Sequence, residues 1–219
     1  AKVPFVLWSY PTDVLRDQDG NLAGVVIVNR AGRQAIVAKT IIDATDRATV
    51  ATLAGAKARP FEAGNHAFRR TVLCPDVRKQ ESGTHRKIAG QFVAVAAPAK
   101  GKGAQKQVPA PIVEYTLTIP MRGGSVGSFA EAEQVARDRT YDADQFAAAE
   151  QLFMVPPDPI DCRKMVDGPA ASPAALDLEA LRPAGVERVY ILGGRCGVSR
   201  KTAEALLRPV ALMELGARV

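Results

Sequence analysis

The chain has 219 residues, of which 47% are hydrophobic and 24% charged, and it carries a net charge of +6. That length can bury a substantial core and suggests one large domain or two small ones. No apolar run reaches membrane-spanning length and no charged-then-apolar leader opens the chain, which leans to a cytoplasmic setting with an export signal removed before residue 1 left open.

In chain order, "KVPFVLWSY" is apolar and rich in β formers, "DQDGN" is a turn, "LAGVVIVN" is a second β run, and "RAGR" turns the chain into "QAIVAKTIIDAT". Short turns between neighbouring runs predict an antiparallel meander. Ile41 and Ile42 then stand side by side, as in a short strand buried on both faces. "RATVATLAGA" follows as a small-residue helix ending at Gly55. Strand, sharp turn and helix are α/β grammar, so the meander is expected to feed a parallel sheet.

From about Lys57 to Gly185 the pattern changes. "AFRRTVLC", "IAGQFVAVAA" and "APIVEYTLTIPM" are strand candidates, and Val113, Tyr115, Leu117 and Ile119 alternate with Glu114, Thr116 and Thr118, the mark of a strand with one wet face. "PAKGKGAQKQVPAP" reads as a loop with nothing to bury. Ser128 and Glu131 have capping-box spacing and open the clearest helix, which breaks near Thr140 to Asp142. "GVERVYILGG" is a further strand. "VSRKTAEALLRPVALMELGA" is a final helix with Ser199 as N-cap, Gly216 as terminator and a kink at Pro209.

The densest basic region, Lys57 to Lys106, is not interleaved with aromatics, which are only 5% of the chain, and this argues against a nucleic-acid surface. Cys74, Cys162 and Cys196 lie too far apart in sequence for a metal or disulfide motif, so free thiols are expected. Cys196 alone precedes a helix start, where a thiolate would be favoured; the plainer reading is a small, semi-buried residue. His66 and His85 have no carboxylate at ligand spacing, so neither a zinc site nor a catalytic triad is indicated. No Cys, His or Tyr is singled out as a catalytic acid or base.

Two strand-to-helix junctions carry the functional signal. At "YILGGRCGVSRKTAEALL", Gly193, Gly194 and Gly197 strip side chains where a strand enters a helix, leaving backbone N–H groups open to an anion or to the edge of a cofactor; a bare steric turn explains the glycines equally well. "DATDRATV" is the second junction, again at the carboxyl end of a strand, where α/β sheets place ligands. No G-x-G-x-x-G fingerprint accompanies either one.

Taken in order, "DGNLAGVVIVNRAGRQAIVAKTIIDATDRATVATLAGA", "SFAEAEQVARDRT", "LFMVPPDPI" and "VYILGGRCGVSRKTAEALLRPVALMELGAR" resemble the FAD-dependent oxidoreductases of the glutathione-reductase-like flavoprotein fold. The resemblance implies an α/β fold: an incomplete FAD-binding domain with a β-meander over residues 1–56, an inserted antiparallel-sheet-and-helix substrate domain over 57–185, and a closing strand and helix over 186–219. It also implies FAD as cofactor and a small-molecule substrate in an intact parent, whose FAD-gripping βαβ unit is missing here, so that the chain alone is expected to be inactive.

Ala44 and Thr45 match the first two positions of the family's Ala-Thr-Gly turn beside the FAD, and Asp46 replaces its glycine. Two readings of Asp46 follow. It N-caps the helix from Arg47 onward, the expected one, or it sets a carboxylate near a negative pyrophosphate at a cost of about 1 to 4 kcal/mol. Gly193, Gly194, Gly197 and Val198 match the closing segment, whose amides would face the flavin. Arg195 would offer it a positive charge, or simply lie solvated on the surface. The family's acidic residue near this point has no counterpart between Gly193 and Ser199. A second hypothesis is a non-catalytic binding module on a degenerate flavoprotein scaffold, holding an anionic partner.

Overall fold

Apolar residues at alternate positions of Leu22–Asn29 place that strand at the centre of a meander in the computed structural model, which describes residues 3–73, 83–95, 107–143, 145, 147–148, 159–167 and 172–219. Strands β1 (Tyr10–Arg16), β2 (Leu22–Asn29) and β3 (Gly32–Val37) pair antiparallel in that order. The first strand starts later than the β-forming run "KVPFVLWSY" predicts. Val3, Phe5, Leu7 and Trp8 are exposed without a pairing strand among the described residues, and Trp8 is left-handed at φ 54°. Propensity alone does not make a strand where no neighbour supplies the ladder. Pro11 sits in β1, an edge strand, where a missing N–H is tolerated.

The run "QAIVAKTIIDAT" divides at residues 38–40. β3 ends at Val37, and β4 (Ile41–Asp43) leaves the meander to lie parallel to β9 (Val189–Ile191), with Ile41 opposite Val189 and Asp43 opposite Ile191. Ile41 and Asp43 are buried, whereas Ile42 is half exposed, so this strand is not buried on both faces as the sequence predicts. Helix α1 (Thr49–Leu53) follows, and Gly55, left-handed at φ 98°, ends it as expected. Past β9, Ser199 accepts a hydrogen bond from the Thr202 N–H at 3.3 Å and caps α3 (Arg200–Leu206). Pro209 breaks the expected final helix in two rather than kinking it, because it takes the first position of a new helix, α4 (Pro209–Gly216), where its missing N–H costs nothing.

Two compact units result, Ala1–Pro60 with Met154–Val219, and Phe61–Phe153. The fold is α/β, with mixed sheets and helices in the first unit. Its boundary differs from the expected one at residue 185. Ile160, Cys162, Leu176 and Leu181 are buried in one core with Ile41, Ala51, Val189 and Ile191. The Arg59 N–H donates to the Pro159 carbonyl and the Asp161 N–H to the Lys57 carbonyl, both at 2.8 Å. Residues 159–167 and 172–181 therefore belong with the strands that flank the insertion, which the Pro- and Asp-rich character of the sequence there hides.

The second unit is an antiparallel sheet. β5 (Gly64–Leu73), β6 (Gly83–Val95), β7 (Gln107–Met121) and the two-residue β8 (Ala147–Ala148) lie in the order β6-β7-β5-β8. Val113, Tyr115, Leu117 and Ile119 are all at most 1% exposed, so the alternation of β7 reads out as predicted, with one face buried under Phe68, Phe129 and Ala136. The helix there, α2 (Val126–Thr140), starts earlier than expected: Ser125, not Ser128, is its N-cap and accepts from the Ser128 N–H at 3.1 Å. The loop predicted over residues 98–111 gives its end to β7, while residues 96–106, Cys74 and the 149–158 stretch lie outside the described residues. Among the described residues no helix is long and apolar enough to cross a membrane.

Candidate functional site

Parallel strands bring their carboxyl ends to one edge, and β4 and β9 do so in the first unit. The Leu192 N–H donates to the Asp43 carbonyl at 2.9 Å, so the chain leaves both strands side by side. A Cβ on Gly193 would lie 3.3 Å from the Thr45 carbonyl oxygen. A side chain there would press on the first turn, so glycine lets the two junctions meet.

The first junction is organised by its own side chains. Asp43 is 1% exposed, and its carboxylate accepts from the Thr45 N–H at 3.1 Å, the Thr45 hydroxyl at 2.7 Å and the Ala51 N–H at 2.9 Å. Thr45 Oγ1 in turn accepts from the Thr49 N–H at 2.7 Å. Two helix amides that lack intrahelical partners are thereby satisfied from the strand side. With three donors on it, Asp43 is a structural acceptor rather than a base. Short side chains that bond nearby backbone favour such turns, and the Asp-Ala-Thr spacing is the sequence signal that would have identified Asp43.

Asp46 does not cap the helix. The N-cap of α1 is Ala48, left-handed at φ 47° and with no side-chain cap, and the Ala48 N–H closes a turn onto the Thr45 carbonyl at 3.2 Å. Asp46 lies in the middle of that turn, exposed, with no hydrogen bond or ion pair among the described residues. Its φ is not positive, so this backbone does not itself call for glycine. Replacing the family's glycine adds volume and charge but no strain. The strain sits two residues on: a left-handed alanine costs on the order of 1 kcal/mol and persists only where its surroundings hold it.

The second junction is held by packing around the backbone. A Cβ on Gly197 would meet the Lys164 carbonyl oxygen at 2.5 Å, Cys162 Cβ at 2.7 Å and the Ala180 carbonyl oxygen at 3.1 Å. The Gly197 N–H donates to Ala180 at 2.7 Å, and its carbonyl accepts from the Val166 N–H at 2.8 Å. Gly197 therefore serves close chain packing and does not present its amide to a ligand. Val198 is 3% exposed and bridges Val166 within the core.

Arg195 corrects the expectation of a solvated side chain. It is 7% exposed and donates from Nη1 to the Arg47 carbonyl at 2.8 Å and to Thr52 Oγ1 at 3.3 Å. Cys196 is 1% exposed, and burial pushes its thiol up to about 12, so the helix start behind it does not produce a reactive thiolate. Cys162 is likewise pushed up to about 12 by burial. Arg200, at the start of α3, is lowered to about 10 by desolvation, which its neighbour Glu204 opposes, and stays protonated at neutral pH.

Of the residues expected to line a site, Thr45 and Gly193 come together where the strands end, Ala44 and Asp46 stand exposed on either side of Thr45, Gly194 is buried next to Gly193, and Gly197 and Val198 face the core. The N–H groups of Asp46, Gly193 and Gly194 have no hydrogen-bond partner among the described residues. Unpaired amides at the ends of parallel strands suit the polar edge of a cofactor, and those of Asp46 and Gly193, which are not buried, fit that use. No group of three metal-ligating side chains occurs among the described residues.

No curated protein matches the chain. A family model described as FAD dependent oxidoreductase matches residues 1–155, which include the meander, the Asp43–Ala48 junction and the sheet of the second unit. FAD is the cofactor this membership implies for the parent protein. The chain belongs to the FAD dependent oxidoreductase family.

Proposed function

We propose that the chain is the part of an FAD-dependent oxidoreductase that supplies a substrate-side unit and two cofactor-facing junctions, and that it does not hold FAD by itself. The observation that carries this reading is the β4–β9 pair. Among the described residues, two parallel strands of three residues each, with unpaired amides at their shared edge, are too little for an independent layer, since parallel sheets are stable when extended and covered on both faces. Further strands complete it, and the fingerprint that grips a dinucleotide belongs with them.

The N–H groups of Gly193 and Asp46 would hold the polar edge of the cofactor. Bound FAD supplies hydride or electron transfer, while the protein orients and insulates it. Neither buried candidate in the junctions serves as an acid, base or nucleophile: Asp43 is committed to three hydrogen bonds within its own turn, and Cys196 is buried and protonated. The Asp46 carboxylate faces solvent at the turn, where a phosphate nearby would feel its charge.

The test is to express the chain with its upstream sequence and record the visible absorbance of a bound flavin. A longer protein that purifies without flavin and takes none up removes the oxidoreductase reading. Asp46, exposed and not engaged as a cap, favours one alternative, a degenerate scaffold that binds an anionic partner. Salt-sensitive polyanion binding by the 219-residue chain, with no flavin uptake by the longer protein, would support that alternative.

A further inference from the structure

Arg195 spans the two junctions, and two of its hydrogen bonds flank a single residue. Nη1 donates to the Arg47 carbonyl, which precedes the Ala48 α-carbon. The same nitrogen donates to Thr52 Oγ1, and that hydroxyl donates to the Ala48 carbonyl at 2.9 Å. The carbonyls on both sides of the Ala48 α-carbon are thus held, the first directly by Arg195 and the second by the Thr52 hydroxyl that Arg195 orients, together with the Thr52 N–H at 3.0 Å. Fixing both carbonyls fixes the two dihedrals between them, and these are the dihedrals that Ala48 holds in the left-handed region at φ 47°, ψ 51°.

We infer that Arg195 is a positioning residue: by clamping Arg47 and Thr52 it holds Ala48 left-handed and keeps the Thr45–Ala48 turn in the shape that presents the Asp46 amide at the strand edge. This rests on the reading of that edge as cofactor-facing. Arg195, buried and donating to Arg47 and Thr52, acts through the turn and not by lending its charge directly to a phosphate. Thr45 and Asp43 hold the turn from their own side, whereas Arg195 reaches it from the far junction, so the two strand ends become one unit.

The test is a double-mutant cycle with two readouts. Glycine adopts the left-handed region without penalty, so Ala48→Gly lessens the need for the clamp. In the 219-residue chain, Arg195→Met is expected to speed hydrogen exchange of the hydrogen-bonded Ala48 and Thr49 amides about tenfold, the equivalent of one lost charge-assisted hydrogen bond. Ala48→Gly combined with Arg195→Met is expected to show a much smaller difference from Ala48→Gly alone.

In the flavin-binding parent, the same pair should give a roughly tenfold weaker flavin Kd for Arg195→Met, most of which disappears in the glycine background. Thr52→Val breaks only the relay and gives a milder version of the same pattern if Arg195→Met does not fold. Unchanged exchange in Arg195→Met, or an equal loss in both backgrounds, overturns the clamp. Exchange that follows the cycle in a parent that binds no flavin upholds the clamp and removes the cofactor reading instead.

Discussion

The two strand-to-helix junctions share one grammar and are built by opposite means. At Asp43–Thr49 the turn is tied by side chains of its own sequence, with a buried carboxylate and a threonine hydroxyl taking the loose amides. At Ile191–Ser199 the local side chains do little of this. The turn is shaped by chain from residues 162–166 and 180 pressing on a residue that has no side chain. A self-tied turn tolerates change at its exposed tip and fails when its acceptor is lost. A turn embedded in packed backbone fails when anything is added.

The largest effect that breaks this comparison is Gly197→Ala. Two carbonyl oxygens and Cys162 Cβ occupy the space a methyl group needs, and backbone cannot yield as a flexible side-chain end would. A loss of about 3 kcal/mol or more is expected by urea unfolding. A stable Gly197→Ala protein would show that the 162–166 segment shifts freely.

Next in size is Asp43→Ala, which leaves the buried Ala51 N–H and its companions without an acceptor and should cost about 2 to 3 kcal/mol by the same measurement. Asp43→Asn keeps one acceptor oxygen and should lose about half as much. Equal losses for the two would mean that charge, not acceptor count, ties the turn.

The thiols sharpen the second junction. Burial raises Cys162 and Cys196 from 9.0 to about 12, so the folded chain keeps protons that the unfolded chain releases. The stability linked to them is whole below pH 9 and drains away as pH climbs toward 12. Thiol-specific reagents should therefore spare both at pH 8 in the native state and label both in denaturant. Cys162→Ala should flatten part of the alkaline loss. Rapid native labelling of Cys196 would mean the embedded turn opens.

The smallest change in stability is expected for Asp46→Gly, within about 0.5 kcal/mol, because the carboxylate is exposed and has no hydrogen bond or ion pair among the described residues. In the flavin-binding parent the same substitution should tighten flavin binding about tenfold by removing a like charge. A large stability change would restore the capping role that the geometry denies it.

Much of this was legible in the sequence where local chemistry decides. The alternation of Val113 to Ile119, the Gly55 stop, the Ser199 cap and the resemblance carried by "IIDATDRATVATLAGA" all rest on neighbours in the chain. What failed depends on distant residues. Gly197 reads as a ligand-facing glycine until Lys164 and Ala180 are placed around it, and Arg195 reads as solvated until Arg47 and Thr52 are found at its tip. Ser128 has the right spacing for a capping box, but Ser125 lies one turn earlier and takes the amide first. "VPFVLW" has the composition of a strand and no partner strand among the described residues.

The pairing of Ile41–Asp43 with Val189–Ile191 spans the whole second unit, Phe61–Phe153. The entropy of closing a loop grows only with the logarithm of its length, so doubling the intervening chain adds about 0.6 kcal/mol. The unit between the strands can thus be lengthened, shortened or exchanged in evolution with little penalty to their pairing. A lineage can remodel the insertion while the edge formed by Thr45 and Gly193 stays as it is.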